Sequence, residues 1–157
     1  MANVNIVLVE PQIPQNTGNV ARTCAATGSS LHLVRPMGFE VDDRKLKRAG
    51  LDYWHLLDIT YYDGVDEFFG RTAGPYVFFT GYGGKLYTEQ SYPPGVFLVF
   101  GREDAGVDWE HELLGRYPQL LARIPMIEEA RCLNLSNAVA VAVYEALRCQ
   151  SFTGLKK

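Results

Sequence analysis

Three polar clusters in the chain have residue types and spacing suited to chemistry. The first is Asn16, Gly18, Asn19 and Arg22 within EPQIPQNTGNVARTC; the second is Arg102, Glu103 and Asp104 in GREDAG; the third is Asn134, Ser136 and Asn137 within IPMIEEARCLNLSNAVAVAVYEALR. Amides, hydroxyls and a guanidinium orient a polar substrate, and a loop running into a helix presents backbone N–H groups to an anion. Each cluster also has a plainer reading. Asn16 or Thr17 can simply cap a helix with Arg22 at the surface, the glycines of GREDAG suit an ordinary turn, and Ser136 stands where a helix cap is expected. For GREDAG, three consecutive charges directly after a buried strand favour function over a turn.

Several other chemistries lack their signatures. No G-x-G-x-x-G follows the first apolar run, and the Gly101–Gly106 spacing is followed by Val107 and Asp108 where a P-loop needs Lys and Ser or Thr. No G-x-S-x-G elbow is present, which leaves a hydrolase without a visible nucleophile. His32, His55 and His111 are isolated and have no cysteine pair beside them, so no metal site is expected.

The clusters are positioned by alternating strand-like and helix-like stretches. VNIVLVE (4–10) predicts a strand, NTGNVARTCAATG a helix ending at Gly28, and LHLV (31–34) a second strand. DDRKLKRAG predicts a helix ending at Gly50, LLDITYY a half-exposed strand, and 65–69 a short helix. YVFFT (76–80) and VFLVFG (96–101) predict central strands, the latter an unbroken apolar run buried on both faces. A helix near 109–117, a strand LLARIP (120–125) and a long helix over 134–149 complete the chain. Such repetition implies an α/β fold with a mostly parallel sheet and helices on both faces. Ligands then bind at the carboxyl ends of the strands, in the loops after Glu10, Thr80, Phe100 and Ile124.

With 47% hydrophobic and 21% charged residues, the 157-residue chain is expected to fold as one packed domain spanning 1–157. Cys24, Cys132 and Cys149 form no framework, no apolar run approaches a membrane span, and a reducing cytoplasm is the expected setting, for a soluble, unprocessed chain. A net charge of −3 disfavours diffuse nucleic-acid binding, so any such site must be local. Arg44, Lys45, Lys47 and Arg48 are the candidate, with a solvated helix face as the equal alternative. The final helix carries Val139, Val143 and Leu147 on one stripe and Ala138, Ala142 and Ala146 on another, so it is expected to be buried or to pair with a second subunit.

Taken together, NTGNVARTC, LVFGREDAGV and IPMIEEARCLNLSNAVAVAVYEAL resemble, in order and spacing, the three motifs of the SpoU-type branch of the SPOUT RNA methyltransferases. With GFEVDDRKLKRAGLDYW between the first two, the chain from Asn5 to Gln150 is similar to the minimal members of that branch, which methylate the ribose 2'-oxygen of the anticodon wobble nucleotide in leucine tRNAs. The resemblance implies a C-terminal deep trefoil knot, an obligate homodimer, a tRNA substrate and S-adenosylmethionine as cofactor, without a metal. It implies that Phe79, Thr80, Gly81, Gly101, Ile124, Met126, Cys132 and Leu133 surround the cofactor, much of the contact being through backbone groups. Many family members carry Ser at the position of Cys132. Arg22 matches the arginine assigned to activating the hydroxyl, but a guanidinium stays protonated and is a poor base, so it is expected to orient ribose and phosphate. Asn16, Glu103, Asn134 and Ser136 are the other candidates for the reacting centre, Glu103 by ordering the motif loops. Methylation of another tRNA or rRNA site, or of a base, and a non-catalytic RNA-binding role are the alternatives.

Overall fold

The chain alternates strands too short and apolar to stand alone with helices that cover them, and this pattern closes into one sheet. The structure, a computed structural model, describes residues 3–40, 55–81, 84–103 and 117–157. The expected helices DDRKLKRAG, with its four basic residues, and near Trp109, together with Asp104 and His111, lie outside the described residues.

Seven strands are present among the described residues: β1 (Val4–Val9), β2 (Ser30–Val34), β3 (Ile59–Tyr62), β4 (Tyr76–Phe79), β5 (Lys85–Leu86), β6 (Val96–Phe100) and β7 (Leu121–Arg123). They lie in the order β3-β2-β1-β6-β4-β7-β5, and every adjacent pair is parallel. The α/β expectation holds, and the sheet is more uniformly parallel than expected. Three α-helices accompany it among the described residues: α1 (Pro14–Thr27), α2 (Val65–Arg71) and α3 (Leu135–Cys149). β5 was not expected, because a two-residue strand within a Gly- and Pro-rich connection carries no periodicity. LLDITYY yields a strand only over its last four residues, and LLARIP only over three.

Alternation along each strand divides the core. Ile6 and Leu8 of β1, Leu31 and Leu33 of β2, and Val96, Leu98 and Phe100 of β6 pack with Val20, Ala21 and Cys24 of α1 and with Val139, Val143 and Leu147 of α3. Val7 and Val9, Val34, Phe78 and Val99 face the other way, toward Tyr62 of β3 and Phe68 of α2. Both faces of VFLVF are therefore covered, as its unbroken apolar run predicts. Each fully buried aliphatic side chain here contributes about 1.5–3 kcal/mol. Gly28 ends α1 in the left-handed region at φ 69, its N–H bonded to the Cys24 carbonyl.

His32 is a polar exception inside β2, 8% exposed and ringed by Tyr62, Phe68 and Phe97. Its Nε2 lies 3.1 Å from Asn5 Oδ1 and its Nδ1 2.8 Å from the Tyr62 hydroxyl. Asn5 already donates its amide N–H to Gly95 O (3.0 Å), so Asn5 Oδ1 accepts from Nε2–H and Tyr62 donates to Nδ1. This satisfies the neutral imidazole. Burial, opposed by the Asp58 carboxylate and aided by Arg71, lowers the His32 pKa from 6.5 to about 4. Between those values the unfolded chain binds the proton and the folded chain does not, so stability is intact above the upper value and falls as pH drops toward the lower. His32 should therefore account for a loss of about 2 kcal/mol between pH 7 and pH 5 in denaturant unfolding. His32→Gln should flatten that part of the profile, and an equally acid-sensitive variant would exclude His32 as the source.

Candidate functional site

A parallel sheet sends the loops after its strands to a common edge, and here the pairing of β1 with β6 decides which loops meet. Leu8 lies opposite Phe100, so the chain leaving β1 at Glu10 emerges beside the chain leaving β6 at Gly101. Glu10 turns the chain with φ 55, a left-handed conformation that costs a residue with a Cβ about 1–2 kcal/mol. The turn is held by Glu10 N–H donating to Val34 O (2.8 Å) and by Gln12 Nε2 donating to Glu10 O (2.8 Å). Gly38, after β2, supports the same loop. Its N–H donates to Pro11 O (3.0 Å), and a Cβ there would fall 2.8 Å from the Gln12 carbonyl oxygen.

α1 begins two residues earlier than NTGNVARTCAATG suggests, with Pro14 in its first turn and Ile13 as an N-cap that offers no side-chain hydrogen bond. The capping reading of Asn16 and Thr17 is thus wrong: both lie inside the helix. Asn16 is 6% exposed, and its amide instead links the three clusters. Glu103 accepts from Gln12 N–H at Oε2 (2.8 Å), and at Oε1 from Ile13 N–H (3.2 Å) and Asn16 Nδ2 (3.4 Å). Asn134 Nδ2 donates to Asn16 Oδ1 (3.1 Å). Ser136 Oγ donates to Asn134 Oδ1 (2.6 Å), which also accepts from Asn137 N–H (3.2 Å). Asn134 is therefore the cap of α3 in place of Ser136, whose hydroxyl orients the capping amide. Four of the five polar candidates, Asn16, Glu103, Asn134 and Ser136, form one chain of hydrogen bonds, and Arg22 is exposed further along α1.

Beside this chain opens a cavity of about 810 Å³, within the usual size of a small-molecule site. Phe79, Thr80, Gly81, Gly101, Ile124, Met126, Cys132 and Leu133 all line it. Its apolar surface includes the stacked rings of Phe79 and Phe100, with centroids 4.8 Å apart, and Leu135 and Ala138 from the start of α3. From Ile124 to Leu133 the chain is neither helix nor strand and contains one turn, Ala130 N–H to Ile127 O (3.1 Å). Its backbone groups stand outside any ladder, as a site that reads the polar edge of a planar ligand requires. Cys132 is an exposed thiol in this wall. The sequence did not single out Phe100, Arg123, Arg131 or Gly38; the position of Phe100 at the end of VFLVF, against Gly101, was the available signal. Among the described residues no group of three His, Cys, Asp or Glu side chains is placed to hold a metal ion.

Residues 3–144 match the SpoU rRNA Methylase family. A Saccharophagus degradans protein named tRNA (cytidine(34)-2'-O)-methyltransferase is 44% identical over 153 residues, covering 97% of this chain and 99% of its own. A solved structure described as giving insight into the 2-OH methylation of C/U34 on tRNA superposes with a TM-score of 0.87 at 42% identity, covering 96% of this chain and 97% of that one. The AdoMet-bound rRNA methyltransferase of Sinorhizobium meliloti superposes with a TM-score of 0.81 at 25% identity, over 93% of this chain and 56% of the larger enzyme. With its three motif loops gathered at one sheet edge and both sequence and fold matched nearly end to end, the chain belongs to the SpoU methylase family.

Proposed function

We propose that this chain is a tRNA 2'-O-methyltransferase that acts on the anticodon wobble nucleotide, cytidine or uridine, using S-adenosylmethionine in the cytoplasm. The observation that carries this reading is the hydrogen-bond chain from Glu103 through Asn16 and Asn134 to Ser136, set beside the cavity lined by all eight expected cofactor residues. The near full-length likeness to proteins bearing that activity in their names supports the choice of nucleotide.

The cavity suits the cofactor: stacked aromatic and aliphatic side chains for an adenine face, and unladdered backbone from Ile124 to Leu133 for its edges. S-adenosylmethionine supplies an electrophilic methyl group on a sulfonium, an excellent leaving group. What the chain must add is chiefly position. Glu103 fixes the loop at Gln12 and Ile13 and holds Asn16, and Asn134 and Ser136 carry that order to the start of α3. Arg22 orients the ribose and an adjoining phosphate, with the proton leaving to a phosphate oxygen, water or another residue.

A homodimer belongs to this reading. Val141 and Tyr144 are 39% and 50% exposed on the side of α3 turned from the core, which supports pairing with a second copy. The C-terminal knot also belongs to it: β7 lies beyond β4 from β6 in the sheet, and α3 packs back against α1, an arrangement in which such a threading would lie.

Transfer of labelled methyl to unmodified tRNA, followed by nucleoside mapping, should give 2'-O-methylated nucleotide at the wobble position; label in a base, in rRNA alone, or nowhere would overturn the reading. Arg22→Ala should lower the turnover rate by about 100-fold while cofactor affinity in calorimetry stays unchanged. An unaltered rate would remove Arg22 from the reaction. Glu103→Gln replaces a carboxylate that accepts three hydrogen bonds with an amide having one acceptor oxygen, so both cofactor affinity and turnover should fall, by about tenfold or more. Wild-type values for both would show that the loops hold their order without the charge.

A further inference from the structure

Arg123 and Arg131 both line the cofactor cavity, one at the end of β7 and the other on the irregular loop that follows. Both are exposed, and neither has an ion pair or side-chain hydrogen bond with a described residue. An arginine elsewhere in the molecule is engaged differently: Arg35, Arg71 and Arg148 are paired with Asp63, Glu67 and Glu145. Glu103 is the one carboxylate lining the cavity among the described residues, and its oxygens are occupied by Gln12, Ile13 and Asn16. Glu128 and Glu129 share the loop with Arg131 but do not line the cavity. In a chain of net charge −3, the described lining of the cavity is thus locally cationic, with Arg102, Arg123 and Arg131 against Glu103.

We propose that Arg123 and Arg131 form a phosphate clamp that grips the backbone of the substrate RNA beside the nucleotide to be methylated. The inference rests on the RNA methyl-transfer function proposed above and names the contact that holds the RNA. An oxyanion is the shared chemistry, and the cofactor's own carboxylate is its other source. That source fits less well. S-adenosylmethionine carries an ammonium next to its carboxylate and a sulfonium nearby, so two guanidiniums meet net positive charge, whereas a phosphodiester offers anionic oxygens without a neighbouring cation. The surroundings also suit a nucleotide. Ile127, which is not one of the expected cofactor residues, is 73% exposed in the same cavity, giving an apolar surface for a base next to cations for its phosphate.

The test uses the full chain and unmodified tRNA. Binding is measured over a salt series for wild type, Arg123→Gln, Arg131→Gln and the double variant, with S-adenosylmethionine affinity by calorimetry in parallel. Each single variant should weaken tRNA binding about tenfold. The double variant should lower the slope of log affinity against log salt by about 1.4, at about 0.7 per single-stranded phosphate contact, with cofactor affinity unchanged. Arg131→Lys should recover part of the loss, a rescue that a folding defect would not give. Unchanged tRNA affinity and slope, or a loss of cofactor affinity that matches the loss of tRNA binding, would overturn the clamp, the second outcome assigning the arginines to the carboxylate. A wild-type protein that methylates the wobble nucleotide while the variants bind normally defeats the clamp alone; a clamp that holds tRNA without methylation at that nucleotide defeats the assigned function alone.

Discussion

The carboxylate of Glu103 is the interaction on which the site depends, because it joins loops that no helix or strand holds together. At the end of a parallel strand the backbone N–H groups leave the ladder and need acceptors. Gln12 and Ile13 stand in that position after β1, and Glu103, delivered beside them by the Leu8–Phe100 register, accepts from both. A charged acceptor makes stronger hydrogen bonds than a neutral one, and this one also takes the Asn16 amide. From Asn16 the order passes to Asn134, the cap of α3, so the entry of the last helix is set by a contact with the first loop.

Helix α3 consequently presents three different surfaces at once. Val139, Val143 and Leu147 enter the core against the sheet, Leu135 and Ala138 close one wall of the cavity, and Val141 and Tyr144 face outward. A helix apolar nearly all round is unusual in a small domain, and its composition follows from these separate duties. Charge is distributed with comparable economy. The chain is acidic overall, yet among the described residues the cavity is lined by Arg102, Arg123 and Arg131 and by one carboxylate, Glu103, whose oxygens already accept N–H donors. Net charge therefore says little about where an anion can approach.

The sequence made the sheet legible because its strands are buried on both faces and its helices carry clear ends. VFLVF could be recognised as central from composition alone, and Gly28 as a helix end. The short strand Lys85–Leu86 could not, since two residues show no period. Capping was the least legible feature. Asn16, Ser136 and Asn134 are all chemically competent caps, and choosing among them requires knowing where each amide finds its partner; Asn16 finds Glu103, far off in sequence, and the helix starts without a side-chain cap.

The sequence by itself determined which residue types stand at the carboxyl ends of the strands, and, through three motifs in register, the family to which the chain belongs. Those features are local: strand periodicity, turn residues and motif spacing are written in consecutive positions. Only the tertiary structure decided that Glu103 binds the first loop, that Asn134 reaches Asn16, that Gly38 makes room for Gln12, and that Arg123 and Arg131 share a cavity with Phe79. Each of these joins residues distant along the chain, and such neighbours become fixed only when parallel strands set their register and bring the loops to one edge.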